Sequence, residues 1–129
     1  MPGYLEDQDK LKAAGVDEVI IYCVNDGAVM KAWAADQKTE GSLITMMGDP
    51  LSTLTRKLDM KLTHPGPQGK GLHDRCKRFA LYIVDGTVKI VRVSEAGPNG
   101  EEDPAGDDFP EKTLAPAMLE AIDAIKDEL

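Results

Sequence analysis

The sequence predicts a layered α/β sandwich. Three observations carry that prediction. Helix-periodic segments alternate with short β-branched runs over the first half of the chain. An Asp85-Gly86 pair then separates two apolar runs, which marks a tight antiparallel hairpin. An amphipathic segment closes the chain.

The elements follow in order. Tyr4 to Ala14 reads as a helix, with Leu5 and Leu11 near one face and Gly15 as its terminator. Val19-Ile20-Ile21-Tyr22-Cys23-Val24 is apolar on both faces and fits a buried parallel strand. Asn25-Asp26-Gly27 is a turn, and Asp26 is placed to cap the helix that carries Val29, Met30, Trp33 and Ala34. Leu43-Ile44-Thr45-Met46-Met47 is a second strand, closed by Gly48-Asp49-Pro50. Leu51, Leu54 and Leu58 predict an amphipathic helix with Pro50 in its first turn. Residues 63–74 predict a polar loop. Phe79–Val84 and Val88–Val93 are the hairpin strands. Residues 96–112 read as a long, mobile, acidic loop, and Leu114, Met118, Ile122 and Ile125 as the last helix. Alternation, then a hairpin, then a helix is the order of a thioredoxin-type sandwich.

Composition narrows the function. The chain has 129 residues, enough for one compact core, and its 42% hydrophobic and 29% charged content is that of a globular protein. No apolar run approaches the roughly 20 residues that span a bilayer. The opening Met1-Pro2-Gly3-Tyr4-Leu5-Glu6 matches neither a signal peptide nor an Arg-rich transit peptide. Two cysteines, Cys23 and Cys76, are too few for a disulfide scaffold, so an intracellular, reducing compartment is expected, either cytosol or organelle. A net charge of −8 argues against nucleic acid as a partner. That charge is local. Residues 1–100 hold 13 acidic and 13 basic side chains, whereas residues 101–129 hold ten acidic ones against Lys112 and Lys126.

Several stretches together resemble type II, or atypical two-cysteine, peroxiredoxins. Pro2-Gly3-Tyr4 resembles the Pro-Gly-aromatic that opens a helix shortly after the family's catalytic cysteine. Cys23-Val24-Asn25-Asp26 followed by Val29-Met30-Lys31-Ala32-Trp33 is similar to the family's Ser-Val-Asn-Asp and Val-Met-Lys-Ala-Trp motif. Lys77-Arg78-Phe79-Ala80-Leu81, with Asp85-Gly86-Thr87-Val88-Lys89, resembles its basic-aromatic strand and hairpin, and Thr113-Leu114-Ala115-Pro116 the start of its last helix. The matches cover most of residues 2–93 and 112–127.

The resemblance implies a thioredoxin-like fold of peroxiredoxin type, with residues 1–129 as a single, partial domain. In the family a Pro-x-x-x-Thr-x-x-Cys loop holds the peroxidatic cysteine. By the alignment of Pro2 this loop and the central strand that delivers it are expected to fall outside the chain. That strand would lie between the Val19–Val24 strand and the hairpin. A longer polypeptide or another chain would then supply it, since unpaired buried backbone groups cost about 1–3 kcal/mol each.

The chemistry of the family needs a thiolate, because the thiol is a poor nucleophile. A helix N-terminus and a guanidinium stabilise it, and attack on peroxide gives a sulfenic acid that a second thiol resolves. By resemblance Arg78 is the family's active-site arginine; the alternative is a surface arginine in the run Arg75-Cys76-Lys77-Arg78. The family's resolving positions fall at Ile21 and Lys112. Cys23 lies two residues beyond Ile21 on the same side of the strand, so it is either a displaced resolving thiol or a small buried hydrophobe. Cys76 is either a thiolate favoured by the cations on both sides or, since no acid–base partner is evident, the preferred reading, a structural or incidental loop thiol. His64, His73, Asp74 and Cys76 match no zinc spacing, and no metal or cofactor is expected. Gly66, Gly69 and Gly71 lack the frame of a phosphate loop.

Two functions are compatible with these residues. The first is a peroxiredoxin-like domain without the peroxidatic cysteine, serving as a non-catalytic binding or structural subunit in a larger assembly, organellar or not, or as a homodimer. The second is part of an active thioredoxin- or glutaredoxin-dependent thiol peroxidase that reduces H2O2 and alkyl hydroperoxides. A redox sensor using Cys23 or Cys76 is a third.

Overall fold

The computed structural model describes residues 1–71 and 73–126; Leu72 and residues 127–129, with the acidic Asp127 and Glu128 of the C-terminal stretch, lie outside the described residues. The chain divides into two compact units, Met1–Leu5 with Asp17–Cys76, and Glu6–Val16 with Lys77–Leu129.

The predicted first helix is interrupted. It forms as α1 (Pro2–Glu6) and α2 (Gln8–Ala13), with Asp7 between them at φ −94 and ψ 13. Asp7 keeps its backbone carbonyl on Leu11 N (3.0 Å) and its side chain near Lys10 (3.7 Å), so it starts a second helix rather than continuing the first.

In the first unit β1 (Val19–Cys23) pairs in parallel with β2 (Ile44–Gly48), from Val19 opposite Ile44 to Cys23 opposite Gly48. Helix α3 (Gly27–Gln37) makes the crossover that a parallel pair requires. Asp26 caps it as expected, its carboxylate accepting from Val29 N at 2.8 Å, and Lys38 ends it in the left-handed conformation. Val24, Met30, Leu43, Ile44 and Leu62 form the buried apolar core of this unit. Of the residues expected in the helix core, Met30 is buried and Trp33 half-buried, whereas Val29 is 46% exposed.

The strand expected to be buried on both faces is not. Ile20 and Met47 are 55% and 51% exposed, and the pairing register puts them on one side of the sheet. The pair has no third strand among the described residues to extend its edges.

Helix α4 (Thr53–Lys57) also departs from its pattern. Leu51 and Leu54 are 76% and 44% exposed, while Ser52 and Thr55 are fully buried. Pro50 precedes the helix instead of starting it, because Ser52 turns the chain at φ +58. Polar bonding, described below, outweighs the leucine spacing. The loop predicted for residues 63–74 contains one short helical turn, α5 (Pro65–Gly69), capped by His64 Nδ1, which accepts from Gly66 N at 3.1 Å.

In the second unit β3 (Arg78–Val84) and β4 (Thr87–Ser94) form the expected antiparallel hairpin. Asp85 and Gly86 both have positive φ, 50 and 79, the conformation of a tight primed turn. Leu11, Ile90, Ala115, Met118 and Ile122 are its buried apolar side chains, the last three from α6 (Ala115–Ile125). Full burial of a residue such as Ile122 contributes about 1.5–3 kcal/mol.

The 96–112 loop is more ordered than its composition suggests. Ala96 bridges to Glu102, Gly97 N donates to Glu101 O at 2.8 Å, and Glu111–Thr113 forms a 3-10 turn. Fully buried Ser94 donates to Pro110 O (3.1 Å) and bonds Thr113 Oγ1 (3.2 Å), so the two ends of the loop are tied together.

Candidate functional site

Two clusters of polar side chains stand out, one in each unit. In the first, Asp49 is a buried carboxylate, 8% exposed, set between β2 and α4. It accepts from Leu54 N (3.2 Å), Thr55 N (3.0 Å) and Thr55 Oγ1 (2.9 Å). Burial pushes its pKa up, but the bonds from Thr55, Leu54 and Thr53 together outweigh burial and hold it below the ordinary 3.8. Asp49 is therefore an ionised cap for α4.

The carboxylate orders its neighbours. An ionised carboxylate only accepts, so the Thr55 hydroxyl proton points to Asp49. Thr55 Oγ1 then accepts from the Tyr22 hydroxyl at 3.0 Å. A directed chain runs from Tyr22 through Thr55 to Asp49. Tyr22 is also hydrogen-bonded to Cys76, and that bond favours the thiolate. Burial dominates at both Tyr22 and Cys76. It pushes the Tyr22 phenol up to about 12 and the Cys76 thiol above 9.0, against the opposing pull of the Tyr22 bond and of backbone N–H groups of Cys76 and Val24.

The cations that flank Cys76 in sequence do not serve a thiolate there. Each cation is bonded elsewhere: Arg75 Nη1 to Val24 O (2.8 Å), Lys77 to Glu95 (3.2 Å) and Arg78 to Asp107 (3.1 Å). Cys76 also has the partner that its local sequence does not reveal. The segment around it is stitched down by Ser52 Oγ to Asp74 O (2.9 Å), Leu62 N to Arg75 O (2.7 Å) and the Lys61–Asp74 ion pair (3.0 Å).

Cys23, the last residue of β1, is half-buried and alternates in direction with Tyr22, so it faces away from this chain of hydroxyls. Cys23 and Cys76 do not form a disulfide. Among the described residues no three of His, Cys, Asp or Glu gather as a metal site.

The second cluster holds Arg78. It is the first residue of β3, opposite Ser94, with its side chain 43% exposed and Nη2 donating to Asp107 Oδ1. Asp107 is carried by a turn around Asp103, a 5% exposed carboxylate that accepts from Phe109 N (2.8 Å) and Asp108 N (3.4 Å). Sequence reasoning placed Arg78 but passed over Asp49, Tyr22, Thr55, Asp103 and Asp107. The only local signals were the Gly48-Asp49-Pro50 turn ahead of a helix and the density of acids around Asp103.

Comparison with known proteins gives these clusters a setting. The redoxin family profile matches residues 1–109, and the chain belongs to that family. Its relatives are peroxiredoxins. It is 36% identical over 97 residues to peroxiredoxin-2C of Oryza sativa subsp. japonica, covering 75% of this chain and 57% of the relative. It is 34% identical over 98 residues to the chloroplastic peroxiredoxin-2E-2 of the same organism, covering 75% and 43%. Among solved structures, reduced Prx3 of Vibrio vulnificus in complex with H2O2 superposes with a TM-score of 0.71 at 31% identity, covering 95% of this chain and 65% of that one. The fold is thus the thioredoxin-like α/β fold of peroxiredoxins. The chain spans only a little over half the length of the rice peroxiredoxin-2C it matches. No helix among the described residues is long and apolar enough to cross a membrane.

Proposed function

We propose that residues 1–129 form a redoxin domain that is not itself a peroxidase and acts as a binding or structural unit. One observation carries this reading: the cations beside half-buried Cys76 are each bonded elsewhere, and burial raises the pKa of its thiol. A peroxidatic sulfur needs the opposite, a thiolate beside a free cation. The test is peroxide consumption by the purified 129-residue chain with a dithiol reductant. The expected rate equals that of buffer. Consumption that disappears in Cys23→Ser or Cys76→Ser overturns the proposal.

A second reading is favoured by the likeness to a peroxiredoxin crystallised with H2O2. Here a thiolate outside these residues attacks one peroxide oxygen. The S–O bond forms as the O–O bond breaks, sulfur is oxidised to sulfenic acid, and the leaving oxygen takes a proton to become water or an alcohol. Arg78 then supplies the positive charge that stabilises the departing oxygen. A second thiol releases water to form a disulfide, which a thioredoxin or glutaredoxin dithiol reduces. Peroxidase activity in a longer polypeptide, lost on Arg78→Met, would establish it. An organellar or cytosolic reducing compartment fits both readings, and so does assembly with a protein partner or a second copy.

A further inference from the structure

Arg78 is covered by a loop shaped around it. Asp103 gathers the backbone N–H groups of Asp108 and Phe109, and Gly106 N donates to Asp103 O at 3.0 Å. This tight turn lays Gly106, at φ +73, along the stem of Arg78. A Cβ at Gly106 would stand 2.9 Å from Arg78 Cβ, 3.0 Å from its Cδ and 2.5 Å from Ser94 O. Only a glycine lets the backbone come that close. The next residue, Asp107, then reaches the guanidinium head at 3.1 Å. The base of the loop is tied by Ser94 to Pro110 and Thr113.

We propose that Asp107 closes the Arg78 site. The acidic loop holds an internal carboxylate on the guanidinium that a thiolate or a peroxide oxygen would otherwise use, and the site opens when a competing anion displaces it. This rests on the reading of Arg78 as the family's active-site arginine. The closure is light, because the two side chains are 43% and 74% exposed and such a pair is screened by salt. It therefore sets a threshold for anions rather than a permanent block. Glu95 does not compete for the role, being paired with Lys77 at 3.2 Å.

The experiment reads Arg78 directly. The full 129-residue chain is treated with phenylglyoxal, and labelling of each arginine is followed by peptide mass spectrometry, with Arg56, Arg75 and Arg92 as internal references. Asp107→Asn is expected to label Arg78 about threefold faster than the parent, the equilibrium equivalent of an exposed ion pair, with the references unchanged. Inorganic phosphate at constant ionic strength is expected to protect Arg78 more strongly in the variant. Gly106→Ala, which displaces the turn without touching the carboxylate, is expected to act in the same direction, and Asp107→Glu to restore the slow rate. Equal labelling in parent and Asp107→Asn overturns the proposal, and so does equal protection by phosphate. Labelling requires no turnover. A chain that consumes no peroxide can still show closure, and a failed closure leaves the peroxidase question where the peroxide measurement puts it.

Discussion

The hydroxyl of Thr55 donates to the carboxylate of Asp49 over 2.9 Å, and this single bond sets the direction of the bond from the Tyr22 hydroxyl to Thr55. Both residues are buried, so neither can exchange its partner for water at no cost.

Thr55→Val tests that bond at nearly constant volume. It removes a donor to Asp49 and the acceptor for Tyr22, and the expected loss is about 1–3 kcal/mol of unfolding free energy. Thr55→Ser keeps the hydroxyl and is expected to lose less. Urea denaturation followed by circular dichroism measures both. A Thr55→Val midpoint equal to that of the parent would show that the bond carries no stability.

The acid limb of stability depends on the same carboxylate. Asp49 has a lowered folded-state pKa, so its contribution is present above the unfolded value of 3.8 and is lost as pH falls through the folded one. Asp74, lowered by its bond to Lys61, adds in the same direction. Asp49→Asn is expected to be less stable at neutral pH and to flatten the decline below pH ~4. Parallel stability curves for parent and variant across that window would contradict this.

At alkaline pH the sign reverses. Burial raises the Cys76 thiol above 9.0 and the Tyr4 and Tyr22 phenols to about 12, so these groups favour the fold while neutral and withdraw that support as pH rises through their folded values. The thiol should also react slowly. In a Cys23→Ser background, alkylation of Cys76 by iodoacetamide at pH 8 is expected to run slower than that of free cysteine, because burial holds its thiol protonated. Tyr22→Phe removes a bond that favours the thiolate, so it should not accelerate the reaction. A rate matching free cysteine would mean that the thiol is not held as described.

Two glycines predict opposite outcomes. A Cβ at Gly48 would stand 2.5 Å from the carbonyl oxygen of Asn25, backbone that cannot rotate away, whereas Gly27 faces open space at the start of α3. Gly48→Ala is expected to cost about 1–3 kcal/mol. Gly27→Ala is expected to be neutral or to stabilise by up to about 1 kcal/mol. Thermal melts of the two variants side by side give the comparison, and equal melting temperatures would refute the packing argument at Gly48.

Much of the fold was legible because its signals are local. The β-branched run of β1, the Asp26 cap and the Asp85-Gly86 turn each specify their own structure within a few residues. The failures share another cause. Leu51 and Leu54 have helical spacing, yet the buried face of α4 is set by Thr55 and by Asp49, which caps the helix from outside it. Tyr22 and Cys76 are far apart in sequence, and nothing near either residue announces the other. Arg78 was singled out only by resemblance to a family motif, whereas its contact with Asp107 depends on the fold of a loop whose acids read only as a solvated surface.

Ser94 has a consequence for how this protein can vary. Because its hydroxyl joins Pro110 and Thr113, the chain between them leaves and re-enters the fold at nearly one point. Closing a segment whose ends already meet costs little more when it grows, about 0.6 kcal/mol for each doubling of its length. For the fold, the acidic stretch is thus an insertion port: its length and charge can change while α6 and the hairpin keep their footing, and what such a change gives up is the Asp107–Arg78 contact.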